Sequence, residues 1–261
     1  MKKSQANAKD LKDFKRFHPA TKENELKPYA AIDTKSGYMV IIKNLLNSKE
    51  KTAKAEVDKW LTLNHENILP FNGSYKAPDG SISVSLEIPF LADLRTWINA
   101  KRSVDKFFSE KETLKILAKT AKGLAYMHSL NIAHWDVKPD NVFFSEDNIL
   151  KLGNPLLPCQ SFTKTELQGV NKTSNVGTVA YMAPEILKKL ALSKDGTKYD
   201  FIDTYDAIKA DCWAFGVFVY ELCTFKHPFR FDSFEDFKEN IPNKKLKVPH
   251  VKINPKISAD T

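Results

Sequence analysis

One segment, residues 134–156, constrains the fold of this chain more than any other. It reads HWDVKPDNVFFSEDNILKLGNPL, and its first part places a carboxylate, an ammonium group and an amide on one loop, as Asp136, Lys138 and Asn141. Pro139 fixes the φ angle of the backbone between them. A long helical pattern precedes this loop and a strand pattern follows it, and chance rarely produces such spacing in that setting. The segment therefore predicts a loop whose polar side chains take part in catalysis.

Local patterns predict the elements around the loop. Ser109 and Glu112 form a capping box, in which each side chain satisfies a free backbone N–H at the start of a helix. Apolar residues then repeat at three- and four-residue intervals along that helix. The other predicted elements are a hairpin over 29–43, a helix over 51–63, strands over 82–90 and 148–152, and a fully buried helix over 213–222. Strands come early and helices late, which predicts an α+β fold with two unequal lobes.

Charge and cysteine usage restrict the cellular setting. The 261 residues contain 40 Lys and Arg against 32 Asp and Glu, and the excess lies near both ends. Aromatic residues are not interleaved with these charges in the way that a stacking platform for single strands requires, and a solvated basic tail is the simpler interpretation, so nucleic-acid or anionic-membrane binding is not expected. The longest apolar run, residues 213–223, is too short to cross a membrane. The three cysteines lack disulfide or metal spacing, and there is no secretory signal, so we expect an intracellular protein of the cytoplasm or nucleus.

Two motifs together resemble the eukaryotic protein kinase family. The first is the loop at Asp136, and the second is the Ala-Pro-Glu element in GTVAYMAPE, residues 177–185. The resemblance covers about residues 29–229. It implies a small β-rich N-lobe over 21–88 and a mainly helical C-lobe over 89–261. It also leads us to expect an insertion over 190–204 and a C-lobe that is incomplete at Thr261. Residues 1–20 are polar and lysine-rich, which predicts a loose basic extension before the N-lobe.

The resemblance implies a role for each matching residue. In the family, a lysine and an acidic partner hold the ATP phosphates, a connector grips adenine, and the catalytic loop orients the acceptor hydroxyl beside Mg²⁺. Lys138 and Thr178 match the Ser/Thr class rather than the Tyr class. The implied site residues are Lys43, Glu56 and Glu87 for ATP, Asp136 and Lys138 for catalysis, Asn141 and Asn154 for the metal, and Asp211 for structure.

Four departures from the family pattern predict that catalysis is impaired. Residues 154–156 read Asn-Pro-Leu in place of Asp-Phe-Gly, so an amide replaces the carboxylate that holds Mg²⁺. The first glycine of the chain is Gly37, which leaves no glycine-rich loop to cover the phosphates. Pro89 lacks the N–H that would bind adenine, and Trp135 replaces an arginine that reads an activation-loop phosphate. The first three departures make both ATP and Mg²⁺ doubtful, though still possible, ligands, and the fourth concerns regulation more than chemistry.

Three hypotheses remain open from the sequence. The first is a catalytically impaired kinase domain, a pseudokinase, with weak or no ATP binding, which acts through protein partners. The second is a weakly active Ser/Thr kinase that transfers the γ-phosphate of ATP to protein hydroxyls, since Lys43, Asp136 and Asn141 are intact. The third is a basic module on a kinase scaffold that binds nucleic acid or anionic membrane. Only the charge runs support the third.

Overall fold

A computed structural model of the chain describes residues 13–17, 29–45, 50–76, 82–87, 92–145, 149–155, 162–163, 178–192, 198–201, 206–229 and 234–243. These residues form a β-sheet lobe followed by a mainly helical lobe, which confirms the predicted two-lobed α+β fold. A single hydrophobic cluster runs from Trp60 in the first lobe to Phe218 in the second. The two lobes therefore share this core, and each also has a smaller hydrophobic cluster of its own.

The N-lobe is built on a five-stranded antiparallel sheet. Its strands are β1 (Phe14–Arg16), β2 (Tyr29–Asp33), β3 (Met39–Leu45), β4 (Phe71–Lys76) and β5 (Ile82–Glu87), in the order β1-β2-β3-β5-β4. The predicted hairpin is present as β2 and β3. The expectation that residues 1–20 form only a loose extension was wrong for β1, because Phe14 is buried against Tyr75 with ring centroids 4.8 Å apart.

One helix covers the sheet and points toward the second lobe. Helix α1 spans Glu50–Thr62 and packs against β4 and β5. Val57 and Trp60 are 1% exposed, and the Trp60 ring stacks on Phe71 at 5.4 Å. The helical spacing of apolar residues predicted this contact face. β3, which carries Lys43, lies in the middle of the sheet between β2 and β5.

The C-lobe contains the remaining helices. They are α2 (Leu94–Ser103), α3 (Glu110–Ser129), α4 (Pro184–Lys189), α5 (Ala207–Thr224) and α6 (Phe234–Asn243). The capping box at the start of α3 is present as predicted, with Glu112 N donating to Ser109 Oγ at 3.3 Å. The prediction that the helix over 213–222 is fully buried was wrong on one face. Phe218 is buried in α5, but Gly216 is exposed because the helix packs on α3 and on the 178–181 turn from one side.

Short strands complete the lobe. β6 (Val142–Phe144) and β7 (Leu150–Leu152) form a hairpin after the polar loop. β8 (Phe162–Thr163), β9 (Leu190–Leu192) and β10 (Lys198–Phe201) form a second sheet in the order β8-β10-β9. The segment predicted as an insertion thus contains two paired strands. In the described parts of the chain, none of the helices is both long and apolar enough to cross a membrane.

Candidate active site

A tight turn and the β6–β7 hairpin bring the two ends of the 134–156 segment together. A 3₁₀ turn over Pro139–Asn141 leads directly into β6, and the β6–β7 register pairs Val142 with Leu152. Gly153 N then donates to the carbonyl of Asn141 at 2.9 Å. Because the hairpin returns the chain to its start, Asn154 lies beside the loop that carries Asp136.

A buried carboxylate on α5 fixes the backbone of the loop. Asp211 is 2% exposed and accepts hydrogen bonds from the backbone N–H groups of His134 at 2.7 Å and Trp135 at 2.8 Å. Trp135 has a φ of 68°, which is a rare conformation for a bulky side chain. The two bonds to Asp211 hold this strained residue in place. Asp211 therefore has the structural role that the sequence implied.

His134 joins the loop to the strand behind it. Its side chain is 0% exposed, and Nε2 lies 2.9 Å from the carbonyl oxygen of Gly153. Nδ1 accepts a hydrogen bond from Asp136 N at 3.3 Å, which leaves Nε2 as the donor. Burial lowers the pKa of His134, so the ring is neutral at pH 7.

Asp136 has one occupied and one unoccupied carboxylate oxygen. Its Oδ2 accepts from Asn141 Nδ2 at 2.6 Å and lies 3.0 Å from Lys138 Nζ. Its Oδ1 is buried and makes no hydrogen bond to any described residue. A buried, unpartnered carboxylate oxygen is costly and is a frequent feature of functional sites. Oδ1 therefore keeps an unused acceptor, which a proton donor such as a hydroxyl group would satisfy if the surrounding side chains moved to admit it.

Lys43 lies on β3, and its side chain contacts residues 154 and 155 at the start of the Asn-Pro-Leu sequence. Its Nζ donates to Asn154 Oδ1 at 2.6 Å and to the carbonyl of Pro155 at 3.3 Å. Burial lowers the pKa of Lys43 to about 8, although the negative charge of Asp136 acts in the opposite direction. The ammonium group is still mostly protonated at pH 7, and two neutral oxygens solvate it.

Hydrogen bonds connect Lys43 to Asp136 through two amides. Asn154 Nδ2 donates to Asn141 Oδ1 at 2.8 Å, and Asn141 Nδ2 donates in turn to Asp136. A lysine can only donate and a carboxylate can only accept. Each amide must therefore turn its oxygen toward the Lys43 side and its NH₂ group toward the Asp136 side. Asn154 has a φ of 59°, a left-handed conformation that Asn tolerates better than most residues.

These residues do not fit an ordinary magnesium site. Mg²⁺ prefers charged carboxylate oxygens, and the described part of the site offers one carboxylate, Asp136, with an ammonium group 3.0 Å from it. The amide oxygens of Asn141 and Asn154 are already hydrogen-bonded to protein groups. Among the described side chains there is also no group of three or more His, Cys, Asp or Glu residues that could hold a metal. A phosphate anion fits better, because the Lys43 ammonium group suits it.

The structure brings together five of the residues predicted from the sequence, namely Lys43, Asp136, Lys138, Asn141 and Asn154. Glu56 lies on α1 and Glu87 at the end of β5, where its backbone pairs with Val40, but both side chains fall outside the described residues. Pro89 and the segment expected to cover the phosphates, 21–27, also fall outside them. The predicted roles of those residues remain predictions.

Sequence reasoning missed a buried ion network below the loop. Arg95 on α2 donates to both carboxylate oxygens of Glu221 on α5, to Tyr181 OH at 2.5 Å and to Asp140 Oδ2 at 3.3 Å. Burial disfavours the charge on Arg95, but Glu221, Tyr181 and Asp140 outweigh it and raise the pKa of the guanidinium. The same hydrogen bonds keep the pKa of Glu221 low despite its burial. The network connects Asp140, in the turn over residues 139–141, to Tyr181 at the end of the 178–181 turn.

Comparisons with known proteins agree with this geometry. A family model described as protein kinase domain matches residues 27–260. The chain is 33% identical over 209 residues to calcium-dependent protein kinase 6 of Plasmodium berghei (strain Anka), covering 78% of this chain and 12% of that protein. It is 30% identical over 210 residues to the mouse serine/threonine-protein kinase Nek5, covering 80% of this chain and 30% of that protein. The chain thus spans less than a third of the length of these two curated relatives.

A solved structure shares the fold. The crystal structure of Rad53 1-466 in complex with AMP-PNP matches with a TM-score of 0.65 at 22% sequence identity. The match covers 89% of this chain and 54% of that chain. At this identity the likeness establishes the arrangement of helices and strands, and the activity must be argued from the site itself.

Proposed function

The chain belongs to the protein kinase family, and on that premise we propose that it is a Ser/Thr-type kinase domain with impaired phosphoryl transfer. The observation that carries this proposal is the position of Asn154. Its amide bridges Lys43 and Asn141 at 2.6 and 2.8 Å, where the family pattern has a metal-binding carboxylate. Without that carboxylate the site lacks the negative charge needed to hold Mg²⁺ against phosphates.

Impaired phosphoryl transfer has consequences for ATP binding and for the role of the protein. We propose weakened ATP binding, with Lys43 as the main phosphate contact, and a role exerted through contacts with a partner protein in the cytoplasm or nucleus. The fold below the site supports this, because Asp211 and the Arg95 network stabilise the loop without any nucleotide. A scaffold that is stable by itself can present a surface to a partner whether or not phosphate is transferred.

One observation favours a second candidate, a weakly active Ser/Thr kinase. Asp136 Oδ1 is buried and has no hydrogen-bond partner among the residues that the structure describes, while Asn141 and Lys138 hold Oδ2 at 2.6 and 3.0 Å. An acceptor hydroxyl could donate to Oδ1 and be oriented toward the γ-phosphate of ATP, and this contact requires no residue that the chain lacks. The two candidates differ in rate rather than in fold.

Phosphate incorporation from labelled ATP into a mixed Ser/Thr peptide library tests the proposal. Wild type, Asp136→Asn, Asn154→Asp and the double variant Asn154→Asp/Asp136→Asn are compared at equal concentration. Loss of one preorganised electrostatic group costs roughly 10²–10³ in rate, so we expect wild type to be slower than Asn154→Asp by about that factor. The double variant should return to background, because it lacks the base.

The outcomes separate the two candidates. Equal rates for wild type and Asn154→Asp, with both rates lost in Asp136→Asn, contradict impairment and favour the active kinase. Background rates in wild type, together with a partner protein retained equally by wild type and Asp136→Asn, support a role through contacts. The isosteric change to Asn keeps the volume of Asp136, so an altered rate reports its charge.

A further inference from the structure

The described side chains of the site carry a net positive charge, which disfavours the binding of divalent metal ions. We define the Lys43 cluster as the five side chains joined by hydrogen bonds or ion pairs, Lys43, Asp136, Lys138, Asn141 and Asn154. Two ammonium groups and one carboxylate give it a net charge of +1. His134, directly behind Asp136, is neutral at pH 7 because it is buried. A site built to hold divalent cations has an excess of carboxylates instead.

The hydrogen bonds of the Lys43 cluster also occupy its cation-binding oxygens. Asn154 Oδ1 accepts from Lys43, Asn141 Oδ1 accepts from Asn154, and Asp136 Oδ2 accepts from Asn141. Each amide oxygen keeps a second lone pair, but a cation that used it would lie beside these donors and face two ammonium groups. Like charges repel each other more strongly inside a protein than in water, because the dielectric constant is lower there.

An anion meets none of these obstacles. An ammonium group has three donors, and among the described residues Lys43 uses two of them, on Asn154 Oδ1 and the Pro155 carbonyl. A phosphate oxygen can take the third donor without breaking either bond. The two ammonium groups attract the anion and outnumber the one carboxylate, Asp136, that repels it. Lys43 is held in place before the anion arrives, so little side-chain entropy is lost on binding.

We infer that the Lys43 cluster binds nucleotide as a metal-free triphosphate anion, and that Mg²⁺ weakens this binding. The inference rests on the proposed function, since it places a nucleotide at the kinase-type site. It deepens that proposal by naming the ligand as ATP without its metal. The physical reason is charge balance, because chelation by Mg²⁺ removes two negative charges from the triphosphate that the cluster attracts.

Isothermal titration calorimetry of the full chain with ATP, in EDTA and in excess Mg²⁺, tests the inference. We expect ATP to bind in EDTA, and Mg²⁺ to weaken the affinity by on the order of tenfold. Binding that needs Mg²⁺, or that Mg²⁺ strengthens tenfold or more, overturns the inference. Absence of ATP binding in both buffers overturns it as well.

Two variants serve as controls. Asn154→Asp brings the net charge of the Lys43 cluster to zero and places a carboxylate between Lys43 and Asn141, so its affinity for ATP should rise on addition of Mg²⁺. Lys43→Met should lose binding in both buffers while remaining folded. If Asn154→Asp shows the same Mg²⁺ response as wild type, the charge argument is refuted even when ATP binds in EDTA.

Failure of this inference is distinguishable from failure of the proposed function. Rapid phosphate transfer by wild type, lost in Asp136→Asn, overturns the proposed impairment whatever the Mg²⁺ response of ATP binding. Conversely, ATP binding that requires Mg²⁺ in a chain without transfer overturns only the metal-free site. The titration reads affinity and the labelling assay reads rate, so each proposal has its own measurement.

Discussion

Replacement of Lys43 by methionine should make the chain more stable, although it removes two hydrogen bonds. The pKa of Lys43 falls from 10.5 to about 8 in the folded chain because burial disfavours the ammonium group. This difference, about 2.5 pKa units, means that the charged lysine costs roughly 3 kcal/mol at pH 7. Asn154 Oδ1 and the Pro155 carbonyl each lose a donor in the variant, which together offset about 2 kcal/mol. The net gain is about 1 kcal/mol, or a rise in Tm of about 2–4 °C for a chain of this size.

The pH dependence gives this prediction a second test. Between pH 8 and 10.5 the unfolded chain retains the Lys43 proton and the folded chain releases it, so the unfolded state binds more protons. Stability therefore rises with pH across that window, and the full cost is present below it. Urea denaturation of wild type and Lys43→Met from pH 7 to 10 should show their difference shrinking. Lys115→Met, at an exposed position on α3, should stay within about 0.5 kcal/mol of wild type. A Lys43→Met variant that is less stable than wild type at pH 7 refutes the reasoning.

Two further predictions concern stability and can be checked by denaturant midpoints. Arg95→Met should cost roughly 3–5 kcal/mol, because it leaves the Glu221 carboxylate, 2% exposed, buried without its cation; a loss under 1 kcal/mol would mean that the pair is not desolvated. Gly153→Ala should cost roughly 1–3 kcal/mol, since its new Cβ would lie 2.8 Å from the Cβ and Cδ2 of Leu69. The matched control Gly216→Ala meets nothing within 4 Å on an exposed face of α5 and should stabilise by about 0.5–1 kcal/mol.

Elements with local signals could be predicted from the sequence. The capping box at Ser109 and the helical spacing of Val57 and Trp60 identified α3 and α1, because each depends on residues within a few positions. The strands β8 and β10 could not be found this way. Their pairing joins Thr163 to Lys198, and a two-residue strand gains its stability from such a distant partner rather than from its own sequence.

The candidate site shows the same difference between local signals and long-range contacts. Motif spacing located Asp136, Lys138 and Asn141, since all three lie on one loop. The contact of Asn154 with Lys43 spans 111 residues, and that of Arg95 with Glu221 spans 126, so no local pattern reports them. The sequence therefore showed which chemical groups were lost from the site. Only the structure shows what the remaining groups do with each other.

The direction of the hydrogen-bond chain decides which ligand the site can accept at least cost. The chain runs from the Lys43 ammonium through Asn154 and Asn141 to the Asp136 carboxylate, with every N–H pointing toward Asp136. A cation on the second lone pairs of the two amide oxygens would face two ammonium groups, whereas an anion can use the third Lys43 donor, which no described residue occupies, and meets a positive charge there. A carboxylate at position 154 would reverse this preference, because it would add a negative charge and could not donate to Asn141. One amide in place of one carboxylate thus favours an anion over a cation at this position.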